Sequence, residues 1–237
     1  MPTVGAIAAH VSNLGEPWEL IVADDGSSDD TVELLNDLDL VNLRVLEAER
    51  NGGKGSAVRR GILAARGDVI LFADADQSTP IEQFSALLAE IEAGADVAIG
   101  SRGADGATVA NKSTMRKVMS WGLNQLVRFG FGIPYADTQC GFKMFSRDAA
   151  HRLFRHQLVD QFSFDLEILY LANKFAMTVA EVPVEWIDAP GSTVDTGKVA
   201  VEFLRDLVQI RLWDVQGRYR GPNHALLVTD VAPTKEA

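Results

Sequence analysis

The sequence predicts an α/β domain with a mostly parallel sheet flanked by helices, and three observations carry that prediction. Short apolar runs alternate with helix-length amphipathic stretches through the first half of the chain, which is the rhythm of β-α-β units. Each run ends in a polar or glycine-rich cluster that punctuates it. The 237 residues, 47% of them hydrophobic, are enough for one full core, as expected of a single domain of this size.

Taken in order, the chain opens in a helical pattern near residues 4–14. Glu19 to Ala23 reads as a buried strand, and Asp24-Asp25-Gly26-Ser27-Ser28 as a turn that caps a helix over Asp29 to Asp37. Leu43 to Leu46 is a second strand, Gly52-Gly53 a turn, and Lys54 to Ala65 a helix stopped near Gly67. Val69 to Ala73 and Val97 to Ile99 are further strands. Between them lies a helix with Pro80 at its start and Gly94 just past its end. The second half predicts helices over 113–131, 164–175 and 198–213, a turn and short strand over 137–145, and a strand over 178–187. A polar tail over 216–237, with Pro222 and Pro233, is expected to be loose. Ligands of parallel sheets bind beyond the C-terminal strand ends.

Composition excludes several classes. A net charge of -11 leaves no basic footprint for nonspecific nucleic-acid binding. The single cysteine, Cys140, permits no intrachain disulfide and reads as a buried small residue. No stretch approaches the ~20 apolar residues of a membrane span, and the N-terminus carries no signal pattern. The expectation is a cytoplasmic protein whose membrane contact, if any, is peripheral. The four histidines show no metal spacing.

Chemistry concentrates at the strand ends. Asp74-Ala75-Asp76 closes the third strand with two nearby carboxylates. Like charges so close repel unless a cation joins them, and hard divalent ions take one or two carboxylates plus substrate phosphates. Spacing alone fits a solvated turn with capping acids equally well. Gly52-Gly53-Lys54-Gly55-Ser56 fails the phosphate-loop pattern, since Ala48 stands where its first glycine belongs. It reads as a helix start with one lysine at the ligand edge, or as a glycine turn with a solvated lysine.

Beyond these readings, the ordered motifs resemble a family. Asp24-Asp25-Gly26-Ser27, Asn51-Gly52-Gly53-Lys54-Gly55, Asp74-Ala75-Asp76, Gly100-Ser101-Arg102 and Asp137-Thr138-Gln139-Cys140-Gly141-Phe142-Lys143 are followed by Phe164-Asp165-Leu166-Glu167 and Val182-Pro183-Val184. The set resembles the inverting glycosyltransferases of family 2, most closely dolichyl-phosphate (polyprenyl-phosphate) glucosyltransferases, with dolichyl-phosphate mannose synthases nearby. The resemblance spans residues 15–210.

It implies a GT-A fold with a Rossmann-like nucleotide-binding half over 15–103 and an acceptor half over 104–215, one domain over 1–215. It implies UDP-glucose as donor, with GDP-mannose second, and a polyprenyl phosphate as acceptor. Asp24, Asp25 and Lys54 become donor residues, and Asp74 and Asp76 the diphosphate site holding Mg²⁺ or Mn²⁺. Arg102, Arg116 and Lys143 become candidates for the acceptor phosphate. Asp165 and Glu167 become the catalytic acids, assigned to positioning before base catalysis; the competing reading on pattern alone is Asp165 as a helix-start acid and Glu167 as a partner in a local ion pair. A soluble acceptor, or a donor-binding module without turnover, are the competing readings.

Two departures stand out. Family members begin with a strand carrying a Pro-x-x-Asn-Glu-like motif, and this chain opens in a helix instead, so the first strand is expected to be missing. The usual Gly-Ser-Lys is Gly191-Ser192-Thr193 here, which removes one expected cation. The helix over 113–131 carries Met115, Val118, Met119, Leu123 and Phe131 with Lys112, Arg116, Lys117 and Arg128 interspersed. Such a helix either covers the sheet or lies in a membrane interface; the resemblance favours the interface, on the cytoplasmic face.

Overall fold

The computed structural model describes residues 2–109, 130–187 and 196–220. In chain order the elements are α1 (Pro2–Ser12), β1 (Leu20–Ala23), α2 (Thr31–Asn36), β2 (Leu43–Leu46), α3 (Lys54–Ala64) and β3 (Val69–Ala73). A 3₁₀ turn (Ile81–Gln83) leads into α4 (Phe84–Glu92), followed by β4 (Val97–Ser101), β5 (Thr108–Val109) and β6 (Phe142–Ser146). The chain continues through α5 (Arg147–His156), α6 (Phe164–Lys174), β7 (Val179–Pro183), β8 (Glu185–Trp186) and α7 (Thr196–Val215).

The central sheet has the order β3-β6-β4-β7. β4 and β7 run parallel, whereas β6 is antiparallel to both of its neighbours. The parallel ladders expected from the alternating pattern are therefore present at β4/β7 and β1/β2, with one strand of opposite direction standing between β3 and β4. β1 and β2 form a separate two-stranded ribbon. α3 touches both β1 and β3 and so joins ribbon to sheet. Among the described residues, β1 and β3 each pair on one side only.

Side-chain alternation along β6 decides what each face holds. Phe142 and Met144 point into the cluster with Ile81, Leu87, Ala98 and Val182. Phe145 joins the larger cluster on the other face with Val97, Ile99, Leu153, Phe154 and Leu169. Lys143 shares that second face, which places an ammonium group against α6 rather than in solvent. α5 begins where Ser146 caps it by accepting from the Ala149 N–H, and buries Ala149, Ala150, Leu153 and Phe154 as one stripe.

Two boundaries differ from the sequence reading. The strand expected over 178–187 is two pieces broken at Val184, whose N–H turns to the carbonyl of Ser101. The packed chain also runs past residue 215: Tyr219, expected in a loose tail, is 2% exposed, because its phenol inserts beside Tyr170 and reaches Glu167. Of the helix expected over 113–131, residues 113–129 lie outside the described residues, as do the Gly191-Ser192-Thr193 segment and residues 221–237.

Candidate active site

The cleft lies where β3 and β4 end. Asp74, Asp76, Ser78, Thr79, Arg102, Gln139, Gly141 and Trp186 line it. The Asp74 N–H donates to the Gly141 carbonyl at 2.9 Å, which extends the β3/β6 ladder one residue beyond the strand. That closeness needs glycine: a Cβ on residue 141 would stand 1.9 Å from Oδ2 of Asp74. Asp76 is exposed and its Oδ1 accepts the Ser78 N–H at 2.9 Å, shaping the turn. Ser78 in turn accepts from the Ile187 N–H, which fixes β8 and Trp186 against the cleft.

Lys54 reaches the same place from α3. Its Nζ lies 2.8 Å from Oδ1 and 3.0 Å from Oδ2 of Asp74. The ring of Phe72 stands 5.6 Å beneath it. The glycines around Lys54 are there for contact. Gly53 has φ +98°, and a Cβ there would strike the Asp160 carbonyl at 2.5 Å; one on Gly55 would strike the Val159 carbonyl at 2.6 Å. The start of α3 is thus pressed against the segment before α6.

Asp24 and Asp25 are both bound to backbone. Asp24 accepts from Gly26 N, Ser27 N and the Ser27 hydroxyl. Burial pushes its carboxyl up, but these bonds and Arg60 outweigh burial and hold it below the usual range. Asp25 accepts the Gly52 N–H at 3.0 Å and the Gly53 N–H at 2.8 Å. Asp24 shapes the turn after β1, and Asp25 ties that turn to the loop before α3.

Arg102 enters from the end of β4. Asp137 engages its Nε at 2.6 Å and its Nη2 at 3.0 Å, a two-point pairing. Its guanidinium lies 5.5 Å over the Trp186 ring. Burial pushes the Asp137 carboxyl up, and the Arg102 bonds overcome this and hold it below the ordinary range. Asp137 itself is seated by Glu181, which accepts the N–H groups of Ala136 and Asp137.

Two expected site residues are placed behind the cleft. Lys143, 1% exposed, donates to the Cys140 carbonyl and, at 2.7 Å, to Asp165. Burial raises the Asp165 carboxyl, partly offset by Lys143 and Lys54. Glu167, fully buried, accepts from Leu158 N, Val159 N and the Tyr219 hydroxyl. Burial pushes it up to about 7 despite those bonds. The structure therefore brings Lys54, Asp74, Asp76 and Arg102 together, sets Asp24 and Asp25 beside them, and seats Asp165 and Lys143 underneath. It holds Glu167 away from the cleft surface. Arg116 lies outside the described residues.

Sequence reasoning missed Gly141, Asp137, Trp186 and Tyr219. Gly141 and Asp137 were visible inside the motif Asp137-Thr138-Gln139-Cys140-Gly141, and their roles follow only from the strand pairing. Trp186 and Tyr219 had no local signal.

Asp74 and Asp76 suit a hard divalent cation that also takes phosphate oxygens. Among the described residues no three Asp, Glu, His or Cys side chains converge as a metal cage. Such an ion would therefore complete its shell from the substrate, which is how Mg²⁺ and Mn²⁺ commonly bind.

The fold is of the GT-A type, and the site is a carboxylate-bearing cleft at its strand ends. The family model described as Glycosyl transferase family 2 matches residues 3–154, and the chain belongs to that family. Among its relatives, dolichyl-phosphate beta-glucosyltransferase ALG5C of Trichomonas vaginalis is 37% identical over 218 residues, covering 86% of this chain and 65% of that one. The dolichyl-phosphate beta-glucosyltransferase of Dictyostelium discoideum is 37% identical, covering 82% and 62%. That of Saccharomyces cerevisiae is 34% identical, covering 91% and 70%. The chain thus spans a little under two thirds of the length of the first two. Among solved structures, glucosyl-3-phosphoglycerate synthase of Mycobacterium tuberculosis, in complex with Mn²⁺, UDP-glucose and glycerol 3-phosphate, superposes with a TM-score of 0.59 at 21% identity. The match covers 81% of this chain and 68% of that one and supports the fold.

Proposed function

We propose that this chain is an inverting glucosyltransferase that moves glucose from UDP-glucose to the phosphate of a dolichyl or other polyprenyl lipid. The observation that carries the reading is the meeting of two carboxylates, Asp74 and Asp76, with two cations, Lys54 and Arg102, around one cleft at the strand ends. The named activity of the relatives supports glucose and dolichyl phosphate. GDP-mannose is the second donor to test.

The leaving group is a nucleoside diphosphate, and negative charge grows on it as the glycosidic bond breaks. Asp74 and Asp76 would hold Mg²⁺ or Mn²⁺, which supplies Lewis-acid stabilisation of that charge. Lys54 adds a second positive group by sharing its ammonium between Asp74 and the diphosphate. Asp24 and Asp25 keep the two loops beside the nucleoside in register. The acceptor phosphate is already an anion near neutral pH, so it needs alignment behind the anomeric carbon more than deprotonation. Arg102 lines the cleft and has five N–H donors, of which Asp137 engages Nε and Nη2; the rest of the fork serves the acceptor phosphate, with Arg116 as a further candidate. Lys143 acts one step back, by fixing Asp165 beneath Lys54. On this reading residues 15–103, Arg102 apart, hold the donor and 104–215 the acceptor.

A lipid acceptor places the reaction at a membrane surface, on the cytoplasmic face, with helix 113–131 as the peripheral contact. No helix among the described residues is long and apolar enough to cross a membrane.

The test is transfer from radiolabelled UDP-glucose to dolichyl phosphate in the presence of Mn²⁺ or Mg²⁺, read as organic-extractable label. Asp76→Ala abolishes that product while leaving the melting temperature unchanged, because Asp76 is exposed and outside the core. A cooperatively folded chain that transfers from neither UDP-glucose nor GDP-mannose sinks the proposal. Equal transfer to a soluble acceptor, with no flotation on vesicles, removes the lipid.

A further inference from the structure

Glu167 and Tyr219 have no place in the mechanism above, yet they form the most enclosed polar contact in the described chain. Glu167 is fully buried and Tyr219 is 2% exposed. The Tyr219 hydroxyl donates to Oε1 of Glu167 at 2.6 Å. The same carboxylate accepts the Leu158 N–H at 3.0 Å and the Val159 N–H at 2.8 Å. Both of these N–H groups belong to segment 157–163, the link between α5 and α6.

That segment is the seat on which α3 begins. The Asp160 carbonyl accepts the Ser56 N–H at 3.0 Å. Gln157 Nε2 donates to the Gly55 carbonyl at 2.9 Å. Arg59 pairs with Asp160 at 2.9 Å. Gly53 and Gly55 approach the Asp160 and Val159 carbonyls so closely that neither tolerates a Cβ. Between those two glycines stands Lys54, with the Phe162 ring of the same segment 5.9 Å from its Nζ. A chain of contacts therefore runs from the turn after α7, through Glu167 and segment 157–163, to the start of α3 and the lysine that grips Asp74.

We infer that Glu167 and Tyr219 are positioning residues: the C-terminal turn latches segment 157–163, and the latch sets where Lys54 meets Asp74 and the donor diphosphate. The inference rests on the reading that Lys54 and Asp74 take that diphosphate. It assigns Glu167 no proton transfer and no contact with substrate. The apolar residues flanking Glu167 along α6, namely Phe164, Leu166, Ile168 and Leu169, belong to the core cluster and are untouched when the hydroxyl is removed, so the latch is separable from the core.

Tyr219→Phe keeps the ring and removes only the donor; Glu167→Gln is the second variant should the first lose its fold. Each is measured well below its own melting temperature. One readout is calorimetric binding of UDP with Mn²⁺, and the other is the acetylation rate of Lys54, by mass spectrometry, relative to the chain's other lysines. In Tyr219→Phe, Lys54 labels faster and UDP binds more weakly, on the order of tenfold for residues coupled through one network. In a Lys54→Ala background the same change has no further effect on UDP affinity, since the path then ends at nothing. Unchanged labelling and affinity, or losses from Tyr219→Phe and Lys54→Ala that simply multiply, overturn the latch. Altered Lys54 labelling in a chain whose wild type binds no UDP upholds the latch and overturns the diphosphate reading instead.

Discussion

Replacing Gly141 by alanine puts a methyl carbon 1.9 Å from Oδ2 and 2.2 Å from Cγ of Asp74. Ordinary contact begins near 3.4 Å, so the carboxylate has to retreat by about 1.5 Å or the β3/β6 ladder has to open. Asp74 is a short side chain anchored through its own N–H to the Gly141 carbonyl, so most of the shift falls on the carboxylate. A misplacement of ~1 Å at a reacting group costs about a hundredfold in rate. The Gly141 backbone is outside the left-handed region, so alanine adds no backbone strain of its own. The expected outcome is a fall in kcat/KM for glucosyl transfer of about two orders of magnitude, with weaker Mn²⁺-dependent UDP binding and a melting temperature shifted far less than in a core truncation. The assay is organic-extractable product from labelled UDP-glucose, beside calorimetry and thermal denaturation. Near-wild-type turnover in Gly141→Ala refutes the reasoning, because it shows that the position of Asp74 does not matter to the reaction.

Two further outcomes follow from buried charge. Lys143→Met strands Asp165 without its cation and destabilises the fold by about 3–5 kcal/mol, and the double variant with Asp165→Leu recovers most of the loss; a single variant melting like wild type contradicts the pairing. Stability also depends on Glu167, which burial raises from 4.5 to about 7. The folded chain therefore binds this proton more tightly than the unfolded one, so its contribution is full below pH 4.5 and is lost as pH rises through about 7. The difference, 7 − 4.5, amounts to roughly 3 kcal/mol at about 1.36 kcal/mol per unit. Urea unfolding at a series of pH values reads it, and Glu167→Gln flattens the slope over that range; an equal slope in both proteins counts against it.

The strand ends were legible because their chemistry is local. Asp24-Asp25-Gly26-Ser27 and Asp74-Ala75-Asp76 announce a turn, a cap and a carboxylate cluster within a few residues, and β1 and β3 end at these clusters. Lys54 was legible as a helix start for the same reason. What stayed hidden depends on distant partners. Nothing in Phe142-Lys143-Met144-Phe145 says that it runs between β3 and β4 in the opposite direction, and that insertion is what turns Lys143 inward to Asp165. The resemblance made Lys143 a candidate for the acceptor phosphate; its strand register made it a buried counterion. Likewise Tyr219 follows a helix by a few residues in a polar stretch, where propensity predicts fraying, and only the waiting Glu167 carboxylate holds it in.

Among the described residues, the basic side chains at or under the cleft each have an acid of their own: Lys54 with Asp74, Arg102 with Asp137, Lys143 with Asp165. On the proposed reading, recognition of an anion here is an exchange of partners rather than capture by bare positive charge. A simple monoanion offers too little to displace a carboxylate, while a diphosphate arriving with a divalent ion brings both a replacement cation for the acid and a stronger anion for the lysine. On the proposed reading, discrimination against sulfate, chloride and free phosphate follows from this pairing of the cleft's cations, in a protein whose overall charge of -11 would otherwise only repel anionic substrates.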